Sequence, residues 1–158
     1  MNTKNQELNL KPILKWVGGK RQLLNVINNL HPKKFDTYCE LFFGGGAVLF
    51  SNQPKKAIIN DINSDLITVY EVIRDDVEAL IENLRLHKNT SEYFYKIRSI
   101  DRNKELYTNL TKIEKASRMI YLNKTCFNGL YRVNSSGEFN SPFGRYKRPN
   151  YVDEKNYQ

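Results

Sequence analysis

Three consecutive glycines, Gly44-Gly45-Gly46, follow the run Thr37-Tyr38-Cys39-Glu40-Leu41-Phe42 and precede the apolar segment Ala47 to Phe50. Glycine in such a place lets the backbone turn tightly and approach a ligand closely. Asp61 lies 15 residues after Gly46, just beyond a second apolar run, Ala57-Ile58-Ile59. In strand–loop–helix–strand nucleotide sites an acid at this place accepts hydrogen bonds from ribose hydroxyls, so the spacing suits an adenosine ligand. The same acid, within Asp61-Ile62-Asn63-Ser64, could instead cap the helix that follows. Lys15-Trp16-Val17-Gly18-Gly19-Lys20 invites comparison with a phosphate-binding loop. That loop needs a glycine five residues before its Gly-Lys pair and Ser or Thr after the lysine. Leu14 and Arg21 stand there instead, which argues against a P-loop nucleoside triphosphatase.

A second chemistry-bearing stretch spans residues 121–149. Phe127, Tyr131, Phe139, Phe143 and Tyr146 alternate with Arg132, Arg145, Lys147 and Arg148. Cations neutralise phosphates, and rings stack on bases or fill an opened duplex. A small satellite core with a solvated rim has the same composition, and composition leaves both readings open.

The elements that must carry these residues follow from periodicity. Residues 1–11 are polar and expected to be loose. Leu23, Val26, Ile27 and Leu30 recur at helical spacing, which predicts an amphipathic helix over 20–30, stopped by Pro32. Strands are expected at 37–42 and 57–59, with a short helix between them. Leu66, Val69, Tyr70 and Ile73 predict a helix, as do Val77, Leu80, Ile81 and Leu84. The order is helix, strand, Gly loop, helix, strand, helix, the pattern of a βαβ unit in a parallel sheet. Residues 85–111 read as further helix with loops, and Ile113, Ala116 and Ile120 mark another helix. Residues 130–133 and 138–140, joined by Asn-Ser-Ser-Gly, predict a β-hairpin.

The 158 residues suffice for one domain with a real core. Net charge is +8, which points to a polyanionic partner or to a solvated basic surface. Residues 1–35 carry seven Lys/Arg against one Glu, and residues 116–148 carry six against Glu138. The middle of the chain is nearly neutral, so folding could join two basic segments into one salt-sensitive surface. Cys39, Cys126, His31 and His87 have no metal-ligand spacing, so free thiols in a reducing compartment and no metal are expected. No stretch approaches 18 apolar residues and the N-terminus lacks an apolar signal core, which predicts a cytoplasmic protein.

Taken in order, Lys15-Trp16-Val17-Gly18-Gly19-Lys20, Phe42-Phe43-Gly44-Gly45-Gly46 and Asn60-Asp61-Ile62-Asn63 resemble the Dam-type (D12 class) DNA adenine-N6 methyltransferases. The string from Asn128 through Gly137 and Phe139 to Lys147 resembles the target-recognition segment of the same family. The resemblance implies a Rossmann-like α/β sheet with an inserted helical and β-hairpin DNA-recognition lobe. It implies S-adenosylmethionine as cofactor, with Trp16, Lys20 and Asp61 as its ligands and Gly44 and Gly46 shaping the pocket. Asp61 would bind the ribose, and Lys20 suits the methionyl carboxylate. Double-stranded DNA is the implied partner. By matching position, Phe127 would wedge beside a flipped adenine, although the family often has Tyr there. Asn128 would hold the DNA backbone, and Leu130 and Pro142 would pack on bases. Arg132 would read a guanine edge, Lys15 an outer guanine, and Tyr146 belongs to the same surface. The family's usual target is GATC.

One family motif is missing. Adenine N6 is a poor nucleophile because its lone pair is delocalised, and the family meets this with Asp-Pro-Pro-Tyr. The five prolines here, at 12, 32, 54, 142 and 149, are nowhere adjacent. The expectation is therefore a chain without catalytic residues, inactive alone, covering the front portion of an enzyme; the alternative is a truncated, non-catalytic module that binds DNA or cofactor. Residues 1–65 would form the cofactor-binding part, 66–150 the recognition lobe, and 151–158 the start of the return to the catalytic domain. An incomplete sheet would leave an open edge through which the chain could make oligomeric contacts.

Overall fold

The computed structural model describes residues 10–157. The expectation for the extreme N-terminus lies largely outside these residues. Two short parallel strands, β1 (Tyr38–Glu40) and β2 (Ala57–Ile59), pair in the register Tyr38↔Ala57, Cys39↔Ile58, Glu40↔Ile59. Helix α2 (Ala47–Asn52) crosses between them, so the βαβ pattern read from the sequence is realised as a small two-stranded sheet.

Before the sheet, a 3₁₀ turn (Lys20–Leu23) runs into α1 (Leu24–Leu30). The helix over 20–30 is present, but its apolar stripe is not packed as its spacing implied. Leu23, Val26 and Leu30 are exposed, whereas Leu24 and Ile27 are half-buried. The physical reason is the contact with α2, which is partly polar. Asn28 Nδ2 donates to Ser51 Oγ at 3.0 Å, and Asn52 Nδ2 donates to Asn28 Oδ1 at 3.1 Å.

After β2 the chain is helical: α3 (Ser64–Asp75), α4 (Val77–Arg85), α5 (Ser91–Ser99), α6 (Lys104–Asn109) and α7 (Lys112–Thr125). Local chemistry sets their starts. Asn63, Asp76, Thr90, Asn103 and Thr111 each accept a backbone N–H of the first turn. Thr111 and Glu114 form a complete capping box. Helix α7 is the spine and packs against α3, α4 and α5.

The main core joins Ile13, Leu14 and Phe43 to Leu66 and Val69 of α3, Leu80 and Leu84 of α4, and Met119 and Ile120 of α7. It therefore crosses the position-65 division read from the sequence. A second cluster gathers Phe94, Tyr121, Leu122, Cys126 and Phe139, and seats the residues after α7 on the helices. A last short helix, α8 (Glu154–Tyr157), returns Tyr157 to the main core.

The expected hairpin is a looser object than two strands. Asn134 N donates to Glu138 O and Asn140 N to Arg132 O, both at 2.9 Å, around one antiparallel bridge, Val133↔Phe139. A separate bridge, Cys126↔Phe143, closes its base. The arm is also tied to the helices beneath it. Asp101 accepts from Phe139 N at 2.8 Å and pairs with buried Arg118 at 2.8 Å, while Arg102 donates to Phe139 O at 3.1 Å. No helix among the described residues is long and apolar enough to cross a membrane.

Candidate cofactor and nucleic-acid sites

The Gly loop lies at the C-terminal ends of both strands, where open α/β sheets place their ligands. Gly44 and Gly46 have φ of 57° and 77°, in the left-handed region that favours glycine. A Cβ on Gly44 would lie 3.2 Å from the Trp16 ring, and one on Gly46 would lie 2.5 Å from the Phe43 ring. The two glycines thus serve packing within the loop as well as any approach of a ligand.

Asp61 is tied to this loop. One carboxylate oxygen accepts from Gly44 N at 2.8 Å, and the other accepts from Asn63 N at 3.0 Å. The two roles weighed for the acid are divided between neighbours: Asn63 Oδ1 caps α3 by accepting from Leu66 N at 2.9 Å, and Asp61 braces the loop. Each carboxylate oxygen offers a further acceptor site beyond these bonds. Lys20 Nζ donates to Glu40 Oε1 at 3.0 Å and to Phe42 O at 2.5 Å. Two of its three donors are thereby engaged among the described residues. Glu40, which the sequence did not single out, is buried and also accepts from Tyr38 Oη at 2.6 Å. It anchors Lys20 at the strand end.

Trp16, Lys20, Gly44, Gly46 and Asp61 are therefore gathered around residues 42–46. Phe42 is 78% exposed and Ile62 99% exposed at the adjoining strand ends. The cluster is an open surface. A cavity of about 580 Å³ lined by Arg21, Leu24, Ala47 and Phe50, and one of about 400 Å³ lined by Ile13, Ile59, Tyr70 and Tyr157, lie elsewhere. None of the five cluster residues lines either cavity.

The basic and aromatic segment forms a second surface beside the first. Phe127–Gly129 is a 3₁₀ turn in which Asn128 and Gly129 have φ of 57° and 62°. Phe127 N donates to Pro142 O at 2.8 Å, and Asn128 N donates to Tyr146 Oη at 3.0 Å. These bonds bring Phe127, Asn128, Pro142 and Tyr146 together, with Phe127 55% and Tyr146 40% exposed. Leu130 follows the turn, and its carbonyl accepts from Ser141 Oγ. A Cβ on Gly129 would lie 2.9 Å from the Lys15 side chain, so Lys15 runs along this turn. Arg132 stands apart on the arm, exposed, with its Nε donating to Asn140 Oδ1 at 2.8 Å.

Burial also shifts titratable groups outside the candidate residues. Burial lowers His87 to about 4. Its ring stacks on Tyr121 at 4.3 Å and hydrogen-bonds Tyr93 and Ser117. Cys126 is a buried free thiol that burial pushes up to about 11, far from the thiolate range. Cys39 is free and exposed.

Comparison with known proteins gives the family of the chain. Residues 16–158 match the family model of the D12 class N6 adenine-specific DNA methyltransferases. The chain is 47% identical over 151 residues to the type II methyltransferase M1.LlaDCHI of Lactococcus lactis, covering 94% of this chain and 53% of that protein. It is 43% identical over 168 residues to M.MjaIII of Methanocaldococcus jannaschii, with 94% and 57% covered. It is 34% identical over 154 residues to the DNA adenine methylase of Haemophilus influenzae, with 94% and 52% covered. The chain spans about half the length of these curated relatives. On the match over residues 16–158, the chain belongs to the D12 class N6 adenine-specific DNA methyltransferases.

Proposed function

We propose that these 158 residues are the cofactor- and DNA-binding portion of a site-specific DNA adenine-N6 methyltransferase of a restriction–modification system. The observation that carries this reading is the shared position of Lys15-Trp16. Trp16 lies on the Gly loop and Lys15 lies on the Phe127–Gly129 turn, so one loop adjoins both surfaces.

S-adenosylmethionine, when bound, would supply a methyl group made electrophilic by its sulfonium. The residues present fit that ligand. Asp61 retains acceptor capacity for ribose hydroxyls, and Lys20 retains a donor for the methionyl carboxylate. Exposed Phe42 and Ile62 offer apolar surface for an adenine ring. Trp16, Gly44 and Gly46 hold the loop in shape.

On the DNA side, Lys15 and Arg132 read guanines of a GATC-like duplex target, and Phe127 enters the stack as adenine is flipped out. Asn128, Leu130, Pro142 and Tyr146 support the backbone and flanking bases. No adjacent prolines occur in the sequence, so these residues bind and orient, while the Asp-Pro-Pro-Tyr chemistry lies outside them. By themselves they do not transfer methyl groups to DNA. The functional division falls near residue 65, with 66–150 serving recognition and 151–158 leading back toward the catalytic half.

Isothermal calorimetry tests the reading. The chain should bind S-adenosylmethionine, and Asp61→Ala should abolish that binding. Undiminished affinity in the variant would remove Asp61 from the site. Incorporation of labelled methyl groups into DNA by the purified chain would refute its inactivity.

A further inference from the structure

The two surfaces are joined by a side chain that neither assignment uses. Asn123, in the last turn of α7, is 1% exposed. Its Oδ1 accepts from Lys15 N at 3.0 Å, and its Nδ2 donates to Lys15 O at 2.9 Å and to Gly129 O at 3.3 Å. The amide thus pairs with both backbone groups of a residue 108 positions earlier, and with the carbonyl that ends the Phe127–Gly129 turn. Its orientation is dictated by its partners, because the flipped amide would set N–H against N–H and oxygen against two carbonyls.

A second link runs alongside. The Trp16 indole stacks on Tyr131 with centroids 4.7 Å apart and planes 21° apart. Tyr131 Oη accepts from Asn63 Nδ2 at 3.4 Å, and Asn63 N is held by Asp61. Tyr131 therefore touches Trp16 of the cofactor cluster and Asn63, which Asp61 holds, while lying next to Arg132 in sequence. Neither Asn123 nor Tyr131 needs to touch a ligand to affect it.

We propose that Asn123 and Tyr131 are positioning residues that couple the two sites, so that S-adenosylmethionine and target duplex each raise the affinity for the other. The inference rests on the assignment of the two surfaces given above. A ligand seated on the Gly loop bears on Lys15-Trp16, and Asn123 and the ring stack pass any shift of that loop to the turn that meets DNA, so the two sites share one packed network. Linkage requires the effect to be reciprocal.

The test titrates the full chain with S-adenosylhomocysteine, a non-reactive probe, with and without a saturating GATC-containing duplex. The native chain should bind the probe at least fivefold more tightly with duplex present, at the low end of ordinary coupling. Asn123→Ala and Tyr131→Leu should each bring that ratio toward one while probe and duplex still bind singly. Tyr131→Phe, which keeps the stack, should retain most of the ratio. If Asn123→Ala does not fold, the Tyr131 pair carries the test. A ratio of one in the native chain, or an unchanged ratio in Tyr131→Leu, overturns the coupling. Failure of the native chain to bind either ligand instead overturns the underlying site assignment, and the coupling falls with it.

Discussion

Arg132 shows how much one side chain depends on its neighbour. It is exposed on the arm, and its Nε–H is already given to Asn140. The guanidinium retains four N–H donors, enough for a bidentate guanine contact. Arg132→Ala should therefore cost roughly 1–3 kcal/mol and relax preference at a single base. Competition between duplexes differing at one position measures this, and an unchanged preference would contradict the role. His87 makes a different prediction. Its folded value of about 4 lies below the ordinary 6.5. The unfolded chain therefore binds the extra proton between those values, and stability falls as pH drops through that window. At about 1.4 kcal/mol per pKa unit, roughly 3 kcal/mol is lost by pH 4. Urea melts at pH 7 and pH 5 should separate the native chain from His87→Asn, whose stability should change less. Equal pH slopes in the two proteins would speak against a buried neutral histidine.

At the scale of elements, α7 does the most. It contributes Met119 and Ile120 to the main core, Tyr121 and Leu122 to the second, and Asn123 to the junction of the two surfaces. Its start is set by the Thr111–Glu114 capping box. Thr111→Ala should destabilise the chain by about 1 kcal/mol, read as a shift in the denaturation midpoint at unchanged slope. A change in slope would mean that the cap affects more than the end of a helix. The arm has hydrogen bonds of its own, with Asn134 Oδ1 accepting from Ser136 N and Glu138 N and Asn140 N donating to Arg132 O, and it is tied to the helices as well. Asp101, Arg102 and Arg118 fasten it from below. Its internal bonds thus give the arm its shape, and the helical layer fixes where it sits.

At the scale of the whole molecule, both strands are edge strands among the described residues. Cys39 and Ile58 face outward from the sheet, with Ile58 59% exposed. Unpaired strand edges flanked by apolar side chains invite pairing with another chain. We expect the chain to self-associate as its concentration rises, and Ile58→Lys to reduce that association. Sedimentation velocity decides this, and a native chain that stays monomeric would oppose it. The net charge of +8 belongs to the same scale. DNA binding by the two basic segments should weaken steeply with added salt, as counterion release requires.

Much of this was legible in the residues. The Gly loop, its acid and the strand–helix–strand order all depend on neighbours within a few positions. Propensity, periodicity and turn chemistry act over that range. The strings that carry the family resemblance were legible for the same reason, being contiguous. Tertiary structure decided the rest. It left Leu23, Val26 and Leu30 in solvent although their spacing reads as a buried stripe, because burial depends on what lies opposite a face and not on the face itself. It engaged Lys20 with Glu40, and it divided bracing and capping between Asp61 and Asn63. It brought Asn123 to Lys15 across 108 residues and Tyr131 onto Trp16. No local preference encodes such pairings. They follow from the packing of α7 against the core that also holds Ile13 and Leu14, which carries the loop after them to the end of that helix.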